Sequence, residues 1–114
     1  MKECIFCQIV KREIRADIVY EDTHILAFRD INPQAPIHLL IIPKKHIMSL
    51  SESSDVEKNL FAEIFSLVKK FVEEGKISRS GFRVVVNNGP DAGQAVPHLH
   101  FHLLAGRRFN WPPG

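Results

Sequence analysis

The feature that most constrains this chain is a single helical stripe in its middle. Val56, Leu60, Phe61, Ile64, Phe65, Leu67, Val68, Phe71 and Val72 recur three and four residues apart, which sets them along one side of a helix. One amphipathic helix cannot bury its own apolar side, so the remaining chain must supply a sheet face to cover it. Residues 54–57, Ser-Asp-Val-Glu, fit a capping box at the helix start, and Gly75 suits a left-handed position just past its end.

Strand-like runs fall where that requirement needs them. Residues 18–20 and 24–28 read as two strands joined through 21–23, which predicts a hairpin. Two prolines make 32–36 a loop, because proline brings no ladder donor. Residues 38–42 form a nearly all-apolar strand stopped at Pro43, and 83–87 and 98–104 supply two more around the loop 88–97. Residues 4–12 predict a short helix with Ile5, Phe6, Ile9 and Val10 on one side. The sum is an α+β fold in one domain over 1–114: a five-stranded, mainly antiparallel sheet, one long helix on one face, and a short N-terminal helix.

Composition narrows the class of function. Fifteen basic against 13 acidic side chains give a net charge of +2, too small for bulk attraction to nucleic acid or a membrane. No apolar run approaches the roughly 18–20 residues needed to span a bilayer. The N-terminal stretch has no long apolar region of the kind a cleaved signal peptide carries, so the expected compartment is the cytosol. There, two cysteines three residues apart read as thiols or metal ligands, not as a disulfide framework.

The chemistry concentrates in residues 98–104, His-Leu-His-Phe-His-Leu-Leu. Side chains alternate faces along a strand, so His98, His100 and His102 share one face while Leu99, Phe101 and Leu103 turn toward the helix. Three readings stay open on the residues alone. The imidazoles could simply occupy the solvent side of an amphipathic strand, ligate a metal, or perform nucleophilic and acid–base catalysis. The preceding Gly-containing loop, residues 87–95, can turn backbone N–H groups toward an anion, which favours phosphate chemistry beside the histidines.

At this point the sequence resembles the histidine triad family, whose mark is His-φ-His-φ-His-φ-φ with φ apolar. Residues 98–104 match it throughout; 41–47, 30–36, 85–87 and the ending Trp111-Pro112-Pro113-Gly114 are similar to its nucleotide-binding (Hint) branch, in the same order. The resemblance implies a homodimeric purine nucleoside phosphoramidase that cleaves adenosine 5'-phosphoramidates to AMP and an amine. His100 would attack the α-phosphorus and carry a nucleotidyl intermediate. His102 would contact the phosphate and assist the leaving amine, and the His98 carbonyl would orient His100. Asn87 and the backbone at Gly93 and Ala95 would hold the phosphate, Asp30 the ribose hydroxyls, and Phe6, Ile9, Phe28 and Ile31 the purine. Trp111 would reach the partner's site. Phe109 and Trp111 also sit where little chain remains to bury them, which suits an interface. A dinucleoside polyphosphate hydrolase is the neighbouring reading, which the Trp-Pro-Pro-Gly ending disfavours. A nucleotide-binding regulatory module with incidental hydrolysis is the third, because Ala95 stands where many relatives have a serine or threonine hydroxyl.

Cys4 and Cys7 are the other distinctive pair. Some bacterial histidine triad proteins and the related galactose-1-phosphate uridylyltransferases join such a pair to two histidines. The resemblance therefore implies a structural zinc held by Cys4, Cys7, His46 and His98, leaving His100 and His102 for chemistry. His24 and His38, in strand-like runs, are expected to be structural or merely exposed. Lys44-Lys45 and Arg107-Arg108 read as solvated surface charge.

Overall fold

The computed structural model describes residues 4–114. Helix α1 (Ile5–Val10) leads into strands β1 (Ile18–Glu21), β2 (Ile25–Arg29) and β3 (Ile37–Pro43). Helix α2 (Lys58–Glu74), β4 (Phe82–Val86) and β5 (Phe101–Ala105) follow. The strands form one sheet in the order β1-β2-β3-β5-β4, and every pairing is antiparallel. No helix among the described residues is long and apolar enough to cross a membrane.

The central strand explains the fold. In β3, Leu39 and Ile41 face one core and Leu40 and Ile42 the other, so period-two alternation disappears and the strand reads as continuously apolar. Helix α2 covers the first face, with Ile64, Leu67, Val68 and Val72 packed against Ile41, Leu99, Phe101 and Leu103. Burying one such side chain contributes about 1.5–3 kcal/mol. Helix α1 covers part of the other face, where Phe6 and Ile9 meet Leu26, Phe28, Leu40 and Ile42.

Several local expectations are corrected. The helical stripe narrows: Val56 is 78% exposed, because the chain at 55–57 is a 3-10 turn and α2 begins only at Lys58, and Phe65, inside α2, is 50% exposed although its ring meets Phe101 at 5.8 Å. No capping box forms; the Ser54 hydroxyl instead donates to the buried Glu57 carboxylate at 2.9 Å. Gly75 keeps a right-handed conformation, and Lys76 takes the left-handed one at φ 58°. Residues 98–100 precede β5 instead of lying in it, because the Leu99 N–H bonds the Ile47 carbonyl outside the ladder. The face alternation nevertheless persists through them.

Candidate active site and Cys/His cluster

The three triad histidines share one face, as the alternation requires, but that face is not wet. His98 is fully buried and His100 is 5% exposed. The cause is α1: the Phe6 ring meets His98 edge-on at 5.9 Å and His100 at 5.2 Å.

Each imidazole has a defined tautomer, inferred from its partner. A carbonyl oxygen only accepts. His98 therefore donates Nε2–H to the Pro43 carbonyl at 2.8 Å and keeps a lone pair on Nδ1. His100 does the reverse, donating Nδ1–H to the His98 carbonyl at 2.7 Å, which leaves the Nε2 lone pair free. His102 is set through a residue that sequence reasoning assigned no chemistry. The Gln34 N–H donates to Nδ1 of buried His38 at 3.0 Å, so the His38 proton sits on Nε2. That Nε2–H lies 2.9 Å from Nδ1 of His102 and 3.4 Å from the Asp30 carboxylate. His102 therefore accepts at Nδ1 and presents Nε2–H. The available signal for His38 was parity: it shares the face of Leu40, which pairs with His102 across β3 and β5.

Burial lowers the pKa of His38, partly opposed by Asp30. Burial, with the neighbouring His100 and His38, pushes His102 down to about 4. At neutral pH His102 is accordingly a neutral donor.

The lone pair of His98 faces Cys4, Cys7 and His46. Its Nδ1 lies 3.4 Å from Cys4 Sγ, 3.6 Å from Cys7 Sγ and 3.3 Å from His46 Nδ1. His46 Nδ1 is 3.6 Å from Cys4 Sγ and 3.2 Å from Cys7 Sγ. Zn–S bonds of about 2.3 Å and Zn–N bonds of about 2.0–2.1 Å put tetrahedral ligand pairs roughly 3.3–3.8 Å apart. The donor set fits that geometry, and the Nε2–H bond to Pro43 leaves His98 in the tautomer a metal needs. Asp30, His38 and His102 are also close enough to hold an ion. There, however, the Gln34 amide makes His38 Nε2 a proton donor, which opposes ligation.

A cleft of about 270 Å³ runs from the triad to α1, residues 14–16 before β1 and the end of β2. Its lining includes Phe6, Ile9, Phe28, Asp30, Ile31, Ala95, His100 and His102. Phe6, Ile9 and Phe28 are also core residues, whereas Ile31 is 95% exposed at the mouth. One Asp30 oxygen accepts the Asn32 N–H at 2.8 Å. Asn87 and Gly93 are not in the lining, and the Gly93 N–H already donates to the Pro90 carbonyl at 3.0 Å. Gln94 ties the same loop down, donating to the Met48 and Val96 carbonyls and accepting from Gly89. Phe109 finds cover within the chain between the Arg83 and Arg107 guanidiniums, whereas Trp111 stands 82% exposed, away from the cleft lining. A larger concavity, about 510 Å³ beside Lys44 and Lys45, gathers no comparable set of imidazoles.

Sheet order, histidine face and cleft together define one small α+β fold class, and comparison with known proteins identifies it. The model of the HIT domain family matches residues 11–109. A HIT family hydrolase from Legionella pneumophila superposes with a TM-score of 0.95 at 50% identity, over 98% of this chain and 100% of that one. A histidine triad nucleotide-binding protein from Candida albicans gives 0.82 at 36% identity, over 96% and 83%. A 14 kDa zinc-binding protein of Zea mays is 46% identical over 112 residues, covering 96% of this chain and 87% of its own. The chain belongs to the HIT domain family.

Proposed function

We propose that this protein is a purine nucleoside phosphoramidase of the Hint type, working by covalent catalysis at His100. The observation that carries the reading is the opposed tautomers of adjacent imidazoles: a lone pair at His100 Nε2 beside an N–H at His102 Nε2. The first is a nucleophile. The second is a donor for a phosphoryl oxygen or the departing nitrogen. Hydrolase and nucleotide-binding relatives support the same chemistry.

In the proposed reaction, His100 Nε2 bonds to the α-phosphorus as the P–N bond breaks, and the nitrogen, hydrogen-bonded by His102 Nε2–H, takes a proton from solvent and leaves as the neutral amine. The His98 carbonyl stabilises the charge that develops on the His100 ring through the Nδ1–H bond. Water then attacks phosphorus, releases the nucleoside monophosphate and restores the imidazole. The Ala95 N–H, which has no acceptor among the described residues, would meet a phosphate oxygen, and Asp30 the ribose hydroxyls. Asn87 and the Gly93 backbone would act only after rearrangement toward the cleft. Zinc held by Cys4, Cys7, His46 and His98 would serve as a closed structural ion that fixes α1 to the triad. A homodimer is part of the proposal, supported by the open edge at β4 and by exposed Phe65, Phe82 and Trp111.

The test is AMP release from an adenosine phosphoramidate of a lysine-like amine. Wild type should turn over, and His100→Ala should lose at least about 1,000-fold while still binding AMP. If neither protein releases AMP but both bind it, the regulatory-module reading replaces this one, with the missing hydroxyl at Ala95 as its physical reason. Release from dinucleoside polyphosphates with no reaction on P–N bonds would favour the neighbouring hydrolase reading.

A further inference from the structure

One charged side chain in the cleft is engaged by nothing among the described residues. Arg15 lines the cleft and makes no hydrogen bond or ion pair among the described residues. The other lining arginine, Arg29, is held by Asp17 at 3.2 Å. The position of Arg15 limits what it can touch. Its neighbours Ile14 and Ala16 pack with Phe6, Ile9 and Phe28, so it stands at the apolar end of the cleft. It leads into β1, which lies three strand spacings from β5 in the sheet order. At about 4.8 Å per spacing β1 and β5 are roughly 14 Å apart, which sets the Arg15 backbone toward the end of the cleft remote from His100 and His102. A nucleotide with its phosphorus at His100 would direct the outer edge of its base toward Arg15.

We infer that Arg15 reads that edge and gives the cleft a preference for 6-oxopurine nucleotides, guanine and hypoxanthine, over 6-aminopurine ones. The inference rests on the nucleotide reading of the cleft. Its chemistry is that of a donor-only group. A guanidinium presents a fixed fork of N–H donors and no acceptor. The O6 and N7 atoms of guanine or hypoxanthine are both acceptors and match the fork. Adenine sets an N6–H₂ donor beside N7, so one prong meets a donor. The packed neighbours Phe6, Ile9, Ile14 and Phe28 bring only apolar side chains to this end, so none of them compensates for that mismatch.

Calorimetric titration of the full-length protein with GMP, IMP and AMP tests this, using wild type, Arg15→Ala and Arg15→Lys. Wild type should bind GMP and IMP about five- to tenfold more tightly than AMP, a modest ratio because the arginine is exposed. Arg15→Ala should remove that ratio with AMP affinity nearly unchanged, and Arg15→Lys, a point charge without the fork, should not restore it. Equal weakening of all three nucleotides in Arg15→Ala would reduce Arg15 to general charge attraction and overturn the inference. IMP behaving like AMP would also overturn it, since recognition would then lie at the 2-amino group. Tight binding of all three without discrimination defeats this inference and leaves the nucleotide reading intact, whereas binding of none defeats both.

Discussion

His98 and His100 are two residues apart on one face, and each donates to a single backbone carbonyl, yet they are prepared for opposite tasks. His98 gives its Nε2–H to Pro43 and points Nδ1 at two thiols and an imidazole; His100 gives its Nδ1–H to His98 and points Nε2 into a cleft. Residue type does not separate a ligand from a nucleophile here. Which nitrogen the carbonyl occupies does. The two regions are also joined, since the carbonyl that orients His100 belongs to the residue whose ring faces the thiols.

The sharpest way to break this arrangement is to remove the ligands. Protein purified without chelator should contain about one zinc per chain, by the four-ligand argument. Stripping the metal, or Cys4→Ser with Cys7→Ser, should cost on the order of 3–5 kcal/mol of stability, because the ion would tie α1 to buried His98 and its binding free energy is folding free energy. Thermal melts with metal analysis check this. An unchanged melt with no metal would return the cysteines to the role of ordinary thiols.

Acid should act on the cleft side. His102 has a folded pKa of about 4 against an unfolded value near 6.5, and the titratable groups around it are His38 on β3, Asp30 just past β2 and His100 just before β5. Between those values the unfolded chain binds more protons than the folded one. Stability from His102 is therefore complete above about pH 6.5 and is lost as the pH falls toward 4, by roughly 2–3 kcal/mol. The lowered pKa of His38 adds loss in the same direction. Urea denaturation of the metal-loaded protein at pH 7.5 and pH 5 measures it, and a flat profile would contradict the buried neutral assignment.

A smaller effect should follow from His38→Ala, which frees the tautomer of His102 without touching His100. The expected loss is about 10–100-fold in kcat with little change in KM. Rescue by His38→Gln, whose amide can still donate to His102 Nδ1, would separate positioning from simple loss of packing. Equal loss in both variants would mark His38 as structural alone.

How far the sequence revealed this design depends on the distance over which each feature is determined. The strands, α2 and the histidine face follow from local periodicity, and all survive in the structure. The start of α2 did not, because the Ser54 hydroxyl found the Glu57 side chain instead of a free backbone N–H. The burial of His98 and His100 was equally invisible: it comes from Phe6 on a helix far away in sequence. His38 looked like one more residue of an apolar strand. Its role depends on the β3–β5 register and on the Gln34 amide in a proline-bounded loop, neither of which a periodic pattern carries.

The Cys/His cluster also has a consequence in time. Its thiols precede His98 by 94 and 91 residues. A chain synthesised from its N-terminus therefore carries Cys4 and Cys7 without their last partner until most of the sheet has been made. Throughout that interval the pair is open to oxidation, and a disulfide formed then would withdraw the sulfurs before His98 arrives. Completing the cluster therefore requires the two thiols to be reduced when His98 arrives.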